Sequence, residues 1–262
     1  MKKAISSLLA AALCLTILAA CGGKPSQDTE LMIFAAASLT ETLTEIKTAY
    51  EKDHPEVTIT CNFDSSGTLL TQIQEGADCD LFLSASPKQM DALEEVGLLA
   101  EDSRIDLLEN QVVLCVPEGN PGKIDSFDEL TDALREGRVL LAMGNSDVPV
   151  GQYTKKILDY YGLNEEELAA AGCITYGSNV KEVTTQVTEG SVDCGVIYCT
   201  DAFSAGLTVV DRAPVELCGR VVYPASVLKD SKNNQAARDF LSYLAGDAAT
   251  EIFRGVGFVP AG

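Results

Sequence analysis

Tryptophan is absent from this 262-residue chain, histidine occurs once, and 19 basic residues face 39 acidic ones, for a formal net charge of −20. Each scarcity excludes something. His54 sits in the turn-like run Asp53-His54-Pro55, which leaves little for a metal centre or for histidine-based proton transfer. Nucleic acid needs clustered cations, and a chain this acidic does not supply them. The same charge weighs little against a small anion. Surface fields are screened over about 8 Å at physiological salt, and local dipoles dominate inside a cleft. No Gly-x-Ser-x-Gly elbow and no Cys-x-x-Cys pair occurs, so two common signatures of hydrolytic and of redox or zinc chemistry are missing.

Long apolar runs are missing too, with one exception. Residues 4–20 carry no charge, follow the basic start Met1-Lys2-Lys3 and end in Leu18-Ala19-Ala20-Cys21. That order describes a secretory signal with a small-residue cleavage site. As a membrane span, 17 uncharged residues would lie at the lower limit. The Leu-Ala-Ala-Cys ending resembles the bacterial lipobox. The resemblance implies that 1–20 is a lipoprotein signal peptide, that Cys21 is acylated, and that 21–30 is a lipid-anchored linker. Loss of the signal, with Lys2 and Lys3, leaves 242 residues and a net charge of −22, enough for one large domain or two smaller lobes. Nine cysteines invite a disulfide framework, but Cys14 leaves with the signal and Cys21 takes lipid. The seven others mostly sit in apolar strand patterns and read as small buried apolar residues.

Strand-length apolar runs occur at 31–35, 57–62, 80–83, 111–116, 139–143, 173–176, 194–198, 207–210 and 221–228. Helical spacing separates several of them, through Leu39, Leu43, Ile46 and Tyr50, through Leu69, Leu70 and Ile73, through Tyr153, Ile157, Leu158 and Tyr161, and through Val180, Val183 and Val187. Residues 236–253 form a further amphipathic helical stretch. The alternation predicts an α/β fold with mainly parallel sheets flanked by helices. The strands 111–116 and 221–228 are expected to carry the crossovers between two lobes.

Four strand ends run into a Ser, Gly or Pro cluster and then a helix: Ala37-Ser38-Leu39-Thr40, Ser65-Ser66-Gly67-Thr68, Val148-Pro149-Val150-Gly151 and Gly177-Ser178-Asn179-Val180. The first N–H groups of a helix lack internal partners, and the macrodipole makes that end partly positive. A helix start is therefore a ready anion site. Loops at the carboxyl ends of α/β strands are also where ligands bind. Four such starts with little basic charge predict a pocket that holds an oxyanion with neutral donors.

Several segments resemble the molybdate-binding proteins of ABC importers, in order along the chain from Leu31. They include Phe34-Ala35-Ala36-Ala37-Ser38-Leu39-Thr40, Ser65-Ser66-Gly67-Thr68-Leu69, Asp80-Leu81-Phe82-Leu83-Ser84-Ala85, Val148-Pro149-Val150-Gly151-Gln152-Tyr153, Gly195-Val196-Ile197-Tyr198 with Asp201-Ala202, and Tyr223-Pro224. The resemblance implies a two-lobed type II periplasmic-binding fold, with 31–113 and 222–262 as lobe 1 and 114–221 as lobe 2. It places oxyanion contacts at Ser38 and Ser66 in one lobe and at Val150, Val180 and Tyr198 in the other. The hydroxyls and backbone N–H groups of these five residues sum to seven donors. Metal enters only as molybdenum or tungsten within the oxyanion, and no cofactor is implied. Two positions depart from the family. Val150 replaces a more usual Ala, and Asp64, two residues before Ser66, is expected to point to solvent. Asp201 is expected to cap the helix that follows Tyr198.

The implied protein is a monomeric, extracytoplasmic lipoprotein, anchored to the bacterial cell membrane, that passes molybdate or tungstate to an ABC transporter permease. Sulfate is the alternative ligand, being another tetrahedral dianion. A lipid-anchored serine hydrolase using Ser38 or Ser66 would need an adjacent base, and an anchored scaffold would leave the convergent helix starts without purpose. Replacing Cys21 with Ser should move the protein from the membrane to the soluble or secreted fraction. Fractionation tests this, and a mutant as membrane-bound as wild type would refute acylation at Cys21.

Overall fold

A computed structural model of the chain describes residues 29–261. The signal 1–20, Cys21 and nearly all of the 21–30 linker lie outside the described residues. The chain opens with β1 (Thr29–Ala36), a 3-10 turn at Ala37–Leu39, α1 (Thr40–Asp53), β2 (Val57–Asp64), α2 (Ser66–Gln74), β3 (Leu81–Leu83), α3 (Pro87–Glu95) and β4 (Ile105–Asn110). It continues through β5 (Val112–Val116), α4 (Phe127–Arg135), β6 (Leu141–Gly144), α5 (Pro149–Tyr160), α6 (Glu165–Ala170), β7 (Ile174–Gly177), α7 (Val180–Thr188), β8 (Cys194–Tyr198), α8 (Cys199–Ala205), β9 (Thr208–Arg212) and α9 (Val215–Cys218). It closes with β10 (Val221–Val227), α10 (Asn234–Leu244), α11 (Asp247–Gly255) and β11 (Val259–Pro260).

These strands build a six-stranded sheet, β11-β4-β10-β3-β1-β2, and a five-stranded sheet, β7-β6-β8-β5-β9. The strand–helix–strand units pair in parallel, β1 with β2 and β3 and β6 with β7 and β8. β5 and β10 instead run antiparallel to their neighbours, so both sheets are mixed. Each of these two strands belongs to one sheet only. The chain passes between the sheets at Gln111 and again over 213–220.

Register positions the site. β1 and β2 pair from Thr29 with Val57 to Ala36 with Asp64. They therefore end side by side and release the turns at Ser38 and Ser66 together. In the second sheet Gly144 pairs with Gly177, and Asn145 N–H donates to the Gly177 carbonyl at 3.0 Å, so the starts of α5 and α7 also emerge together. Ser65 and Asn179 cap α2 and α7, accepting from the N–H groups of Thr68 and Glu182 at 3.1 Å each.

The helices bury the anticipated stripes, Leu43, Ile46 and Tyr50 on α1 and Val183 and Val187 on α7 among them. A continuous core extends through both sheets, and Phe34, Leu69, Ile73, Phe82, Met90, Leu93 and Leu228 fill the other face of the first. All nine strand-length runs are strands. Pattern reading missed β4, whose residues are buried only at Leu107 and Leu108, and the two-residue β11. The stretch 236–253 is two helices, broken where Gly246 adopts extended backbone ahead of Asp247. The seven described cysteines are free. Burial pushes the Cys79 and Cys115 thiols up to about 12, which suits inert packing groups. No helix among the described residues is long and apolar enough to cross a membrane.

Candidate functional site

One small cavity is lined by Ser38, Ser66, Val150, Val180 and Tyr198. All four helix starts singled out in the sequence thus meet at one point. The first lobe supplies Ala37 and Ser38 from the 3-10 turn and Ser66 from α2. The second supplies Val150 from α5, Val180 from α7 and Tyr198 from the end of β8. Val150 is the second residue of α5 and Val180 the first of α7, positions whose N–H groups have no partner within the helix. Pro149 opens α5, where a missing N–H costs nothing.

The hydroxyls are arranged to donate. Ser66 Oγ, fully buried, accepts the Ala85 N–H at 2.9 Å, which leaves its own proton for the cavity. Ser38 Oγ lies 2.9 Å from Tyr223 Oη, and Asn110 Nδ2 donates to that phenol oxygen at 3.3 Å. Either hydroxyl of this pair can donate, and when Tyr223 donates to Ser38 the Ser38 proton is free for a guest. Asn110 Nδ2 donates at 2.9 Å to Thr200 Oγ1 as well, so it ties the two lobes where the chain passes between them. In the sequence Tyr223 stands out only within the matching segment Tyr223-Pro224. Its role as the partner of Ser38, 185 residues away, had no local signal.

Tyr198 is 1% exposed and its hydroxyl makes no well-formed hydrogen bond. Burial, and then the neighbouring Tyr223, push its pKa well above the usual tyrosine value, so it stays a protonated donor. An unpaired buried hydroxyl beside a cavity is a place for an acceptor. Tyr198 packs edge-on to Tyr223, with ring centroids 5.7 Å apart, and Tyr223 packs edge-on to Phe258 at 5.3 Å. The aromatic floor fixes the direction of both phenols.

The lobes touch beside the cavity. Gly67 N–H donates to the Asp147 carbonyl at 3.1 Å, and a Cβ at Gly67 would stand 2.2 Å from that oxygen. Only glycine permits this approach.

Two expectations need correction. Asp64 does not point away to solvent. It is half-buried in the cavity wall, and its Oδ1 accepts the Ser65 N–H at 2.7 Å. Asp201 does not cap α8. Its side chain is fully buried and pairs with Lys181, Nζ to Oδ1 at 3.0 Å. Burial raises the Asp201 pKa to about 6, against the lowering effect of Lys181. His54 stacks on Tyr50, ring centroids 4.2 Å apart, at the C-terminal end of α1. That is about 20 Å along the helix from its start beside the cavity, so neither serine has the histidine near it.

A two-lobed fold that closes helix N-termini and neutral donors over a small cavity defines a solute-binding protein. The model of the bacterial extracellular solute-binding protein family matches residues 31–259, and the chain belongs to that family. It is 34% identical to the molybdate-binding protein ModA of Escherichia coli, over 92% of this chain and 93% of that one. Identity to ModA of Haemophilus influenzae is 32%, covering 92% and 94%. A Bacillus subtilis relative named as an ABC transporter substrate-binding lipoprotein, YvgL, is 36% identical over 98% and 99% of the two chains. The solved periplasmic molybdate-binding protein of Azotobacter vinelandii shares the fold, with a TM-score of 0.78 at 23% identity, covering 88% of this chain and all of that one.

The raised Asp201 pKa carries a sign. A carboxyl that binds protons more tightly when folded adds stability below its unfolded value near 4 and loses that contribution as pH rises through about 6. Denaturant unfolding of wild type and Asp201→Asn should therefore show wild type gaining on the mutant as pH falls from 6 to 4. A pH-independent difference would contradict the assignment.

Proposed function

We propose that this protein is an extracytoplasmic, lipid-anchored receptor that captures molybdate or tungstate in the interlobe cavity and delivers it to an ABC transporter permease. The observation that carries the reading is the convergence of four helix starts, two serine hydroxyls and the unpaired Tyr198 hydroxyl on one cavity. A tetrahedral dianion only accepts hydrogen bonds, and this wall mainly donates them. Ser38 and Ser66 each offer a hydroxyl and an N–H, Val150 and Val180 an N–H, and Tyr198 its phenol. Each hydrogen bond to a charged acceptor contributes about 1.5–3 kcal/mol, so the anion itself drives closure. The lysine next to the cavity-lining Val180, Lys181, is engaged by two carboxylates, which leaves the neutral donors to hold the anion. The lipobox-like Cys21 and the lipoprotein name of YvgL support anchoring. Sulfate remains the second reading, because it shares the geometry and charge of the dianion and differs in radius.

Isothermal titration tests the assignment. Wild type should bind molybdate or tungstate. Ser38→Ala and Tyr198→Phe should each lose about 1.5–3 kcal/mol with the fold retained. His54→Ala should bind as wild type does. No binding of either ion by wild type, or unchanged affinity in both cavity mutants, would refute the reading.

Phosphate offers a second titration. Near neutral pH it often carries a proton, and an unaccepted proton in a donor-lined cavity costs about 1–3 kcal/mol. Phosphate should bind at least about tenfold more weakly than molybdate, the factor that 1.4 kcal/mol represents. Comparable affinities, abolished by Asp64→Asn, would show instead that Asp64 accepts the phosphate proton.

A further inference from the structure

Three charged groups beside the cavity have no part in the donor set. Lys181 Nζ stands 2.9 and 2.7 Å from the two carboxylate oxygens of Glu41 and 3.0 Å from Asp201 Oδ1. Glu41 lies in the first turn of α1, on the first lobe; Lys181 and Asp201 lie on α7 and α8 of the second. The bridge therefore spans the cleft, one residue beyond the cavity-lining Val180.

Neither local stability nor attraction of an anion accounts for Lys181. It is the second residue of α7, where a cation opposes the positive end of the helix dipole. Two carboxylates surround one ammonium, so the cluster is net negative and cannot draw an oxyanion in. Asp201 is buried with a side-chain exposure of 0%, and its contact with Lys181 is an ion pair rather than an aligned hydrogen bond. Its position beneath the lysine fixes where the ammonium stands. Glu41, half exposed, reaches that ammonium from the other lobe.

We infer that Lys181, positioned by Asp201, clasps the closed lobes through Glu41 and sets the rate at which the bound anion leaves. When the lobes part, Glu41 withdraws with α1. Lys181 and Asp201 stay behind as a neutral pair, so opening strands no buried charge. The identity of the anion rests on the function proposed above; the clasp rests on the geometry of the three side chains.

The experiment uses the mature chain and follows molybdate association and dissociation by stopped-flow tyrosine fluorescence. Glu41→Gln keeps the Lys181–Asp201 pair. It should release molybdate about two- to fivefold faster with association unchanged, the size of a partly exposed ion pair. Raising the ionic strength should narrow that gap. In a Lys181→Met, Asp201→Asn background, which removes the pair without leaving a buried charge, Glu41→Gln should add nothing. Unchanged dissociation in Glu41→Gln overturns the clasp, as does slower association alone, which would make Lys181 a steering charge. If wild type binds neither molybdate nor tungstate, the ligand assignment fails, and small-angle scattering of the free protein judges the clasp. Glu41→Lys should then give a larger radius of gyration than wild type, and an equal radius overturns it.

Discussion

Backbone N–H groups at the start of a helix cannot be satisfied inside that helix, and this structure gathers several of them at one buried point. Most of its other features follow from that constraint. Unpaired buried donors are costly unless a partner accepts from them, so a cavity walled by such donors favours a guest that accepts hydrogen bonds. Neutral donors can attract an anion even within a strongly acidic protein. The dipoles act at contact distance, where screening of the surface charge is irrelevant.

The frame that presents these donors is stiff. Parallel pairing in full register ends β1 and β2 together, and the Gly144–Gly177 pair does the same for β6 and β7. Caps at Ser65 and Asn179 fix where two of the helices begin. The aromatic sequence Tyr198, Tyr223 and Phe258 forms a floor from residues of both sheets. Contacts between the lobes include the Gly67–Asp147 backbone bond, the Asn110–Thr200 bond and the charged bridge through Lys181. In the function proposed above, a half-site on each lobe, joined by short links, would couple anion capture to closure.

Much of this was legible beforehand. Periodicity located the strands of both sheets, and Ser, Gly and Pro clusters marked the helix starts that line the cavity. The ordered resemblance to molybdate-binding proteins selected Tyr198, Val150 and Val180 from among many similar residues. Other parts had no local signature. β4 buries too little of its length to show a pattern, and Gly246 breaks a helix whose apolar spacing continues across it. Asp64 and Asp201 were assigned by ordinary habits of aspartate, as a solvent-facing and a capping residue. Packing turned one into the cavity wall and buried the other beneath a lysine.

The sequence by itself determined the local chemistry: alternating strands and helices, helix starts with little basic charge, a leader ending in Leu-Ala-Ala-Cys, and a charge that argues against nucleic acid. These depend on neighbours within a few residues, where periodicity and capping preferences act. Only the tertiary structure decided that Ser38 leans on Tyr223, that Gly67 meets Asp147, and that Lys181 stands between Asp201 and Glu41. Those contacts join residues from 20 to 185 positions apart. Their geometry is set by sheet register and by how the two lobes meet, and neither is encoded in a short window of sequence.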